Sequence, residues 1–204
     1  MLGGVTGKVL WSDAKTYYTF GPLGFSPDGK LLAAGVDRQV RVYDARSGQV
    51  RRECNGPEGS MLAVCFSADG SRVAAGGADR NLFVWDLNDS KRDLILPPKL
   101  PSALDGPSVA ALAFEAKSDS LVAFVLREVS RGFLERWRHP PPPGIEKMNA
   151  ITGSLIVRRD LTPDGKTTVL LETDQVFSKV RFAQDSHRFV QSNASDPWVG
   201  VWEY

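Results

Sequence analysis

Short apolar runs and tight polar turns alternate along much of this chain. Residues 61–66 (MLAVCF), 72–76 (RVAAG) and 82–85 (LFVW) are brief, apolar and rich in β-prone residues. Ser67-Ala68-Asp69-Gly70 and Gly77-Ala78-Asp79 separate them as turn signals. Residues 25–43 repeat the arrangement, with Pro27-Asp28-Gly29 in the first turn. Proline there presets φ, and glycine takes the positive-φ position. No stretch keeps the apolar period of a helix, so the pattern predicts an all-β protein.

The runs also repeat at long range. FSPDGKLLAAGVDRQVRVYD at 25–44, FSADGSRVAAGGADRNLFVWD at 66–86 and FAQDSHRFVQSNASDPWVGVWE at 182–203 align with one another. Each has a Phe, an Asp three residues on, and a second Asp six residues before an aromatic. Those last pairs are Asp37 with Tyr43, Asp79 with Trp85 and Asp196 with Trp202. Phe25 and Phe66 lie 41 residues apart, within the period of four-stranded propeller blades. These stretches resemble the WD40-repeat family.

The resemblance implies one domain over residues 1–204, a β-propeller or an arc of one, with about four WD-like four-stranded blades. Its repeats would run over about 6–44, 48–86, 94–160 and 165–204. It also implies an outer strand after each WD-like dipeptide, crossing to the next blade. Gly48 to Phe66 and Gly7 to Phe25 are both 18 residues, so residues 6–11 read as a displaced outer strand. Such a strand would pair with Val201–Tyr204 and close the ring, removing exposed sheet edges. Four repeats leave three arrangements open: a closed four-bladed ring, an arc completed by a second chain or by self-association, or a piece of a longer protein.

The third repeat departs from the pattern. Its first two strands read as 109–114 and 120–126, and two positions compete for the end of the third. Asp160 is favoured over Trp137, because Asp160 to Phe182 spans 22 residues, as Asp44 to Phe66 does. Arg159 then stands in the aromatic position. An insertion over about 128–153 follows from that choice, and its prolines cannot donate to a ladder.

In the family, the turn Asp, a strand His, a strand hydroxyl and the Trp form a buried network. Here the Asp residues (Asp37, Asp79, Asp196) and aromatics (Tyr43, Trp85, Trp202) match, but the His does not. Gly56-Pro57 and Gly106-Pro107 stand where Gly-His would be, and Ala33-Ala34 and Ala74-Ala75 replace the hydroxyl. The expectation is therefore that these Asp residues cap their own turns through backbone donors. Asp79 should then matter more than Asp69, which lies in an exposed turn.

Composition narrows the function further. A formal net charge of +1 gives no bulk pull toward nucleic acid or anionic membrane. No apolar run reaches the length of a membrane helix, and the first residues lack a signal-peptide pattern. Cys54 and Cys65 fall on an outer strand and on the next inner strand, so two free thiols in a reducing, cytoplasmic or nuclear compartment are expected. There is no G-x-S-x-G elbow, Walker loop or H-E-x-x-H. The two histidines, His139 and His187, fall in loops, and the sequence offers no catalytic set, cofactor or metal site.

The insertion supplies the candidate partner-binding residues Arg131, Phe133, Arg136, Trp137 and Arg138, of types enriched at binding hot spots. Its Pro140–Pro143 run is stiff polyproline. Equally, Phe133 and Trp137 could fold over the defective third blade. The reading is a non-enzymatic protein–protein interaction scaffold. An enzyme or small-ligand binder using the central channel is the alternative, and an RNA-associated scaffold a second.

Overall fold

The computed structural model describes residues 7–13, 20–79, 81–96, 105–115, 119–129, 150–162, 164–173, 179–183, 188–192 and 199–203. Among them lie fifteen strands in four antiparallel sheets. The first sheet holds β1 (Phe20–Phe25), β2 (Leu31–Val36), β3 (Gln39–Asp44) and β4 (Val50–Asn55). The second holds β5 (Met61–Phe66), β6 (Arg72–Gly77), β7 (Leu82–Asp86) and β8 (Leu94–Leu96). The third holds β9 (Asp105–Phe114), β10 (Ser120–Val129), β11 (Ala150–Asp160) and β12 (Thr167–Thr173). The fourth shows three strands, β13 (Lys179–Phe182), β14 (Arg188–Ser192) and β15 (Val199–Glu203). Every sheet is a simple meander in chain order. The molecule is a four-bladed β-propeller.

The first turn of each early blade is made by a repeated side-chain device. Ser26 Oγ accepts from the Leu31 amide at 2.9 Å and donates to Asp28 at 2.7 Å, while Asp28 accepts from the Lys30 amide at 3.1 Å. Ser67 Oγ does the same with Arg72 at 2.9 Å and Asp69 at 2.6 Å. Gly29 and Gly70 close these turns at φ 71° and 72°, the left-handed region that glycine enters without penalty.

The outer strand stays with its own blade. β4 pairs with β3 and β8 with β7, which corrects the expectation that this strand crosses to the next blade. The turn after each dipeptide is too tight to cross. Asp44 donates its amide to Gln49 at 2.8 Å and accepts from Gly48 at 2.9 Å. Its carboxylate takes the Ser47 amide and hydroxyl, both at 2.9 Å. Asp86 caps the matching turn, accepting from Asn88 at 2.9 Å and Asp89 at 3.1 Å.

Two further expectations are corrected. Residues 7–13 form no strand; Trp11 instead stacks on Tyr43 of the first blade. The ladder of the third blade also runs farther than anticipated. Glu128 pairs with Ile151 and Val129 with Ala150, because LVAFVLREV and AITGSLIV stay β-prone on both sides. The insertion thereby shortens to residues 130–149, which lie outside the described residues. β11 ends at Asp160, the position that spacing favours.

The cores sit between blades. Val40, Val42, Met61, Val73, Phe83 and Trp85 join the first blade to the second. Leu82, Leu96, Val109, Leu121, Val125 and Leu155 join the second to the third, and Phe124, Ile156, Val180 and Phe189 the third to the fourth. Full burial of one such side chain stabilises by about 1.5–3 kcal/mol, so the blades hold one another. Charge pairs reinforce two seams. Arg52 reaches Asp93 of the second blade at 2.6 Å, and Arg72 pairs with Asp119 at the edge of the third.

Candidate interaction surface

The register of the sheets shows which residues occupy equivalent places. Phe25, Phe66, Phe114 and Phe182 end the four innermost strands, opposite Leu32, Val73, Leu121 and Phe189. All four phenylalanines line one cavity of about 360 Å³. That convergence of one repeated residue from every blade marks the central channel. On the third strands, Tyr43, Trp85, Arg159 and Trp202 face the same four partners. Tyr43 and Trp85 are buried, and Arg159 fills the aromatic position as a fully buried side chain.

The opposite end of the first two sheets, where β2 turns into β3 and β4 leads into β5, is open. A cavity of about 980 Å³ lies between the first two blades there. Its walls come from the Asp37–Gln39 turn and the link running from Asn55 to Met61. The link is pinned: the Gly56 amide donates to the Arg38 carbonyl at 2.7 Å, and Gln39 Nε2 donates to Asn55 Oδ1 at 3.3 Å. Asp79 accepts from the Asn81 amide at 3.2 Å and from the Glu58 amide at 3.3 Å. It therefore ties its own turn to the link ahead of it, through backbone donors. Asp37 is exposed at φ 56°, a left-handed turn that Asp tolerates better than most residues. The turn pair is thus not equivalent: Asp79 bridges two segments, while Asp37 shapes one.

The family profile described as "WD domain, G-beta repeat" matches residues 23–44 and 48–86. Those two stretches of the chain are WD repeats. Similar WD-repeat stretches occur in the small ribosomal subunit protein RACK1 of Neurospora crassa, 31% identical over 118 residues. That match covers 52% of this chain and 35% of the relative. The intraflagellar transport protein 122 homolog of Danio rerio is 33% identical over 63 residues, 31% of this chain and 5% of the relative. MST50-interacting protein 11 of Pyricularia oryzae is 36% identical over 70 residues, 33% of this chain and 22% of the relative. The chain spans about a third or less of the length of these WD-repeat relatives.

Of the other site residues anticipated from the sequence, Asp196 lies outside the described residues. Trp202 is placed only by its strand register. Arg131, Phe133, Arg136, Trp137 and Arg138 also lie outside them. What sequence reading passed over is the Ser-x-Asp-Gly turn and the docking of Trp11 and Asp13. The first had a signal, since Ser26 and Ser67 recur two residues before the turn Asp. The second had none, because it occurs once.

The Ser26 and Ser67 hydroxyls, with the following amides, pull Asp28 and Asp69 down to about 2. Burial pushes the thiols up, Cys54 to about 11 and Cys65 to about 12, so neither is primed as a nucleophile. Both cysteines are free. Among the described residues no group of three or more His, Cys, Asp or Glu side chains is placed to hold a metal ion. No helix there is long and apolar enough to cross a membrane.

Proposed function

We propose that this protein is a non-enzymatic interaction scaffold that presents the end of its sheets carrying the Asp37–Gln39 turn to a protein partner. The observation that carries the reading is the open cavity of about 980 Å³ between pinned loops of the first two blades. The β10–β11 ladder ends at Val129 with Ala150 on the same side, where β2 turns into β3 in the first blade and β6 into β7 in the second. Residues 130–149, with Arg131, Phe133, Arg136, Trp137 and Arg138, continue from that hairpin and would extend the surface with arginine and aromatic anchors. Relatives named for a ribosomal subunit, for intraflagellar transport and for a protein contact support an assembly role. A cytoplasmic or nuclear setting suits two free thiols.

The test is quantitative affinity capture from cell extract with the intact protein, Arg136→Ala/Trp137→Ala and Arg38→Glu/Glu58→Arg. Both double variants should lose the same partner set while their melting temperatures stay within about 2 °C of the intact protein. Loss of stability with Arg136→Ala/Trp137→Ala would instead place the insertion over the third blade. Retention of all partners by both variants would refute the surface.

A further inference from the structure

Among the described side chains, the strand-end aromatic of the first blade is covered differently from its counterparts in the second and third. Trp85 of the second blade packs against apolar side chains of the first, and Arg159 of the third lines a small cavity with Leu82 of the second. Tyr43 is covered by the chain's own Trp11, with ring centroids 5.3 Å apart and planes at 27°. The indole Nε1 donates to the Ala45 carbonyl at 2.9 Å. Two residues on, Asp13 accepts from the Tyr43 hydroxyl at 2.9 Å, and Arg41 Nη1 lies 3.6 Å from the same carboxylate oxygen. Arg41 Nε is in turn held by Glu53 at 3.1 Å.

The receiving surface is shaped for this pair. Gly48 adopts φ 73°, and a Cβ added there would fall 2.6 Å from the Trp11 ring. A side-chain-free notch therefore seats the indole, a carbonyl takes its N–H, and a phenol with a guanidinium takes a carboxylate. Burial and Asp13 hold the Tyr43 phenol above its ordinary pKa, which keeps the donated proton on the hydroxyl. An open cavity of about 430 Å³ surrounds these groups. The preceding residues are not gripped: Val9 is 79% exposed and Leu10 69%. Since residues 7–13 form no ladder, it is the side chains of Trp11 and Asp13 that anchor the segment.

We propose that this rim of the first blade is a receptor for peptides carrying Trp-x-Asp, held in the resting protein by residues 11–13. A partner segment of that chemistry displaces them. The site shares no lining residue with the cavity assigned above, so either reading can fail without the other.

The experiment uses the full chain with Trp11→Ala/Asp13→Asn, which vacates the site, and a fluorescent peptide of residues 8–14 (KVLWSDA). Fluorescence polarisation should give a Kd below about 1 mM. A contact populated at the millimolar effective concentration of a short tether needs at least that affinity. The intact protein should bind the peptide several-fold more weakly, because its own segment competes. A peptide with Ala for Trp should not bind, and adding Arg41→Ala to the vacated protein should weaken binding at least several-fold. A vacated protein that keeps its circular dichroism and cooperative melting but does not bind the peptide overturns the proposal. So does equal binding by the intact protein. If the double variant fails to fold, Asp13→Asn alone is used, which should bind the peptide more tightly than the intact protein; equal binding then refutes the site.

Discussion

Asp69 illustrates how a residue in an exposed turn can matter. It accepts from the Ser67 hydroxyl at 2.6 Å, the Ser71 amide at 3.0 Å and the Ser71 hydroxyl at 2.8 Å. Asp79, expected to matter more, accepts from three donors at longer distances, 3.2–3.4 Å. Exposure weakens each bond but does not remove the need to organise the turn. Asp69→Ala should therefore destabilise by about 1 kcal/mol, no less than Asp79→Ala, in urea melts. A twofold larger effect at Asp79 would contradict this ranking. The pH dependence has a definite sign. The folded-state pKa of Asp69 lies near 2, below its ordinary value of 3.8. Its contribution is thus present above pH 3.8 and is lost as pH falls from 3.8 toward about 2. Asp69→Asn should flatten that part of the stability curve. At this scale the sequence spoke through repetition: Ser26, Asp28, Ser67 and Asp69 recur, whereas Trp11 and Asp13 do not.

At the scale of elements, strand register explains what was legible and what was not. Phe25, Phe66, Phe114 and Phe182 and the aromatic positions repeat because each must meet the same neighbour in a sheet built the same way. The spacing of 22 residues located the end of β11 despite Arg159, because turn and strand lengths are set by backbone geometry. The assignment of outer strands went astray for a related reason. A sequence repeat and a sheet need not begin at the same strand, and only the tight Asp44 and Asp86 turns reveal the pairing. The core between the first two blades gives this scale its prediction. Trp85 is 4% exposed and stacks on Phe83 at 5.8 Å within that core. Trp85→Ala should cost about 3–5 kcal/mol, measured by chemical denaturation. A loss under about 1 kcal/mol would mean that the two blades do not depend on this contact.

For the whole molecule, three seams are packed by apolar clusters and two of them are tied by Arg52 with Asp93 and Arg72 with Asp119. Between the fourth blade and the first, apolar side chains remain in view. Leu23, Phe25 and Val201 are each more than 60% exposed. Four repeats alone left the choice among ring, arc and larger assembly open, since closure depends on how the terminal blades meet rather than on any repeat. The common cavity lined by all four phenylalanines expresses a ring about one axis. Small-angle X-ray scattering with in-line mass determination tests that ring most directly. The account predicts a monomer of 22.3 kDa, and compact packing of 204 residues gives a radius of gyration of about 17 Å. A doubled mass, or a radius of gyration well above about 20 Å for the monomer, would contradict it.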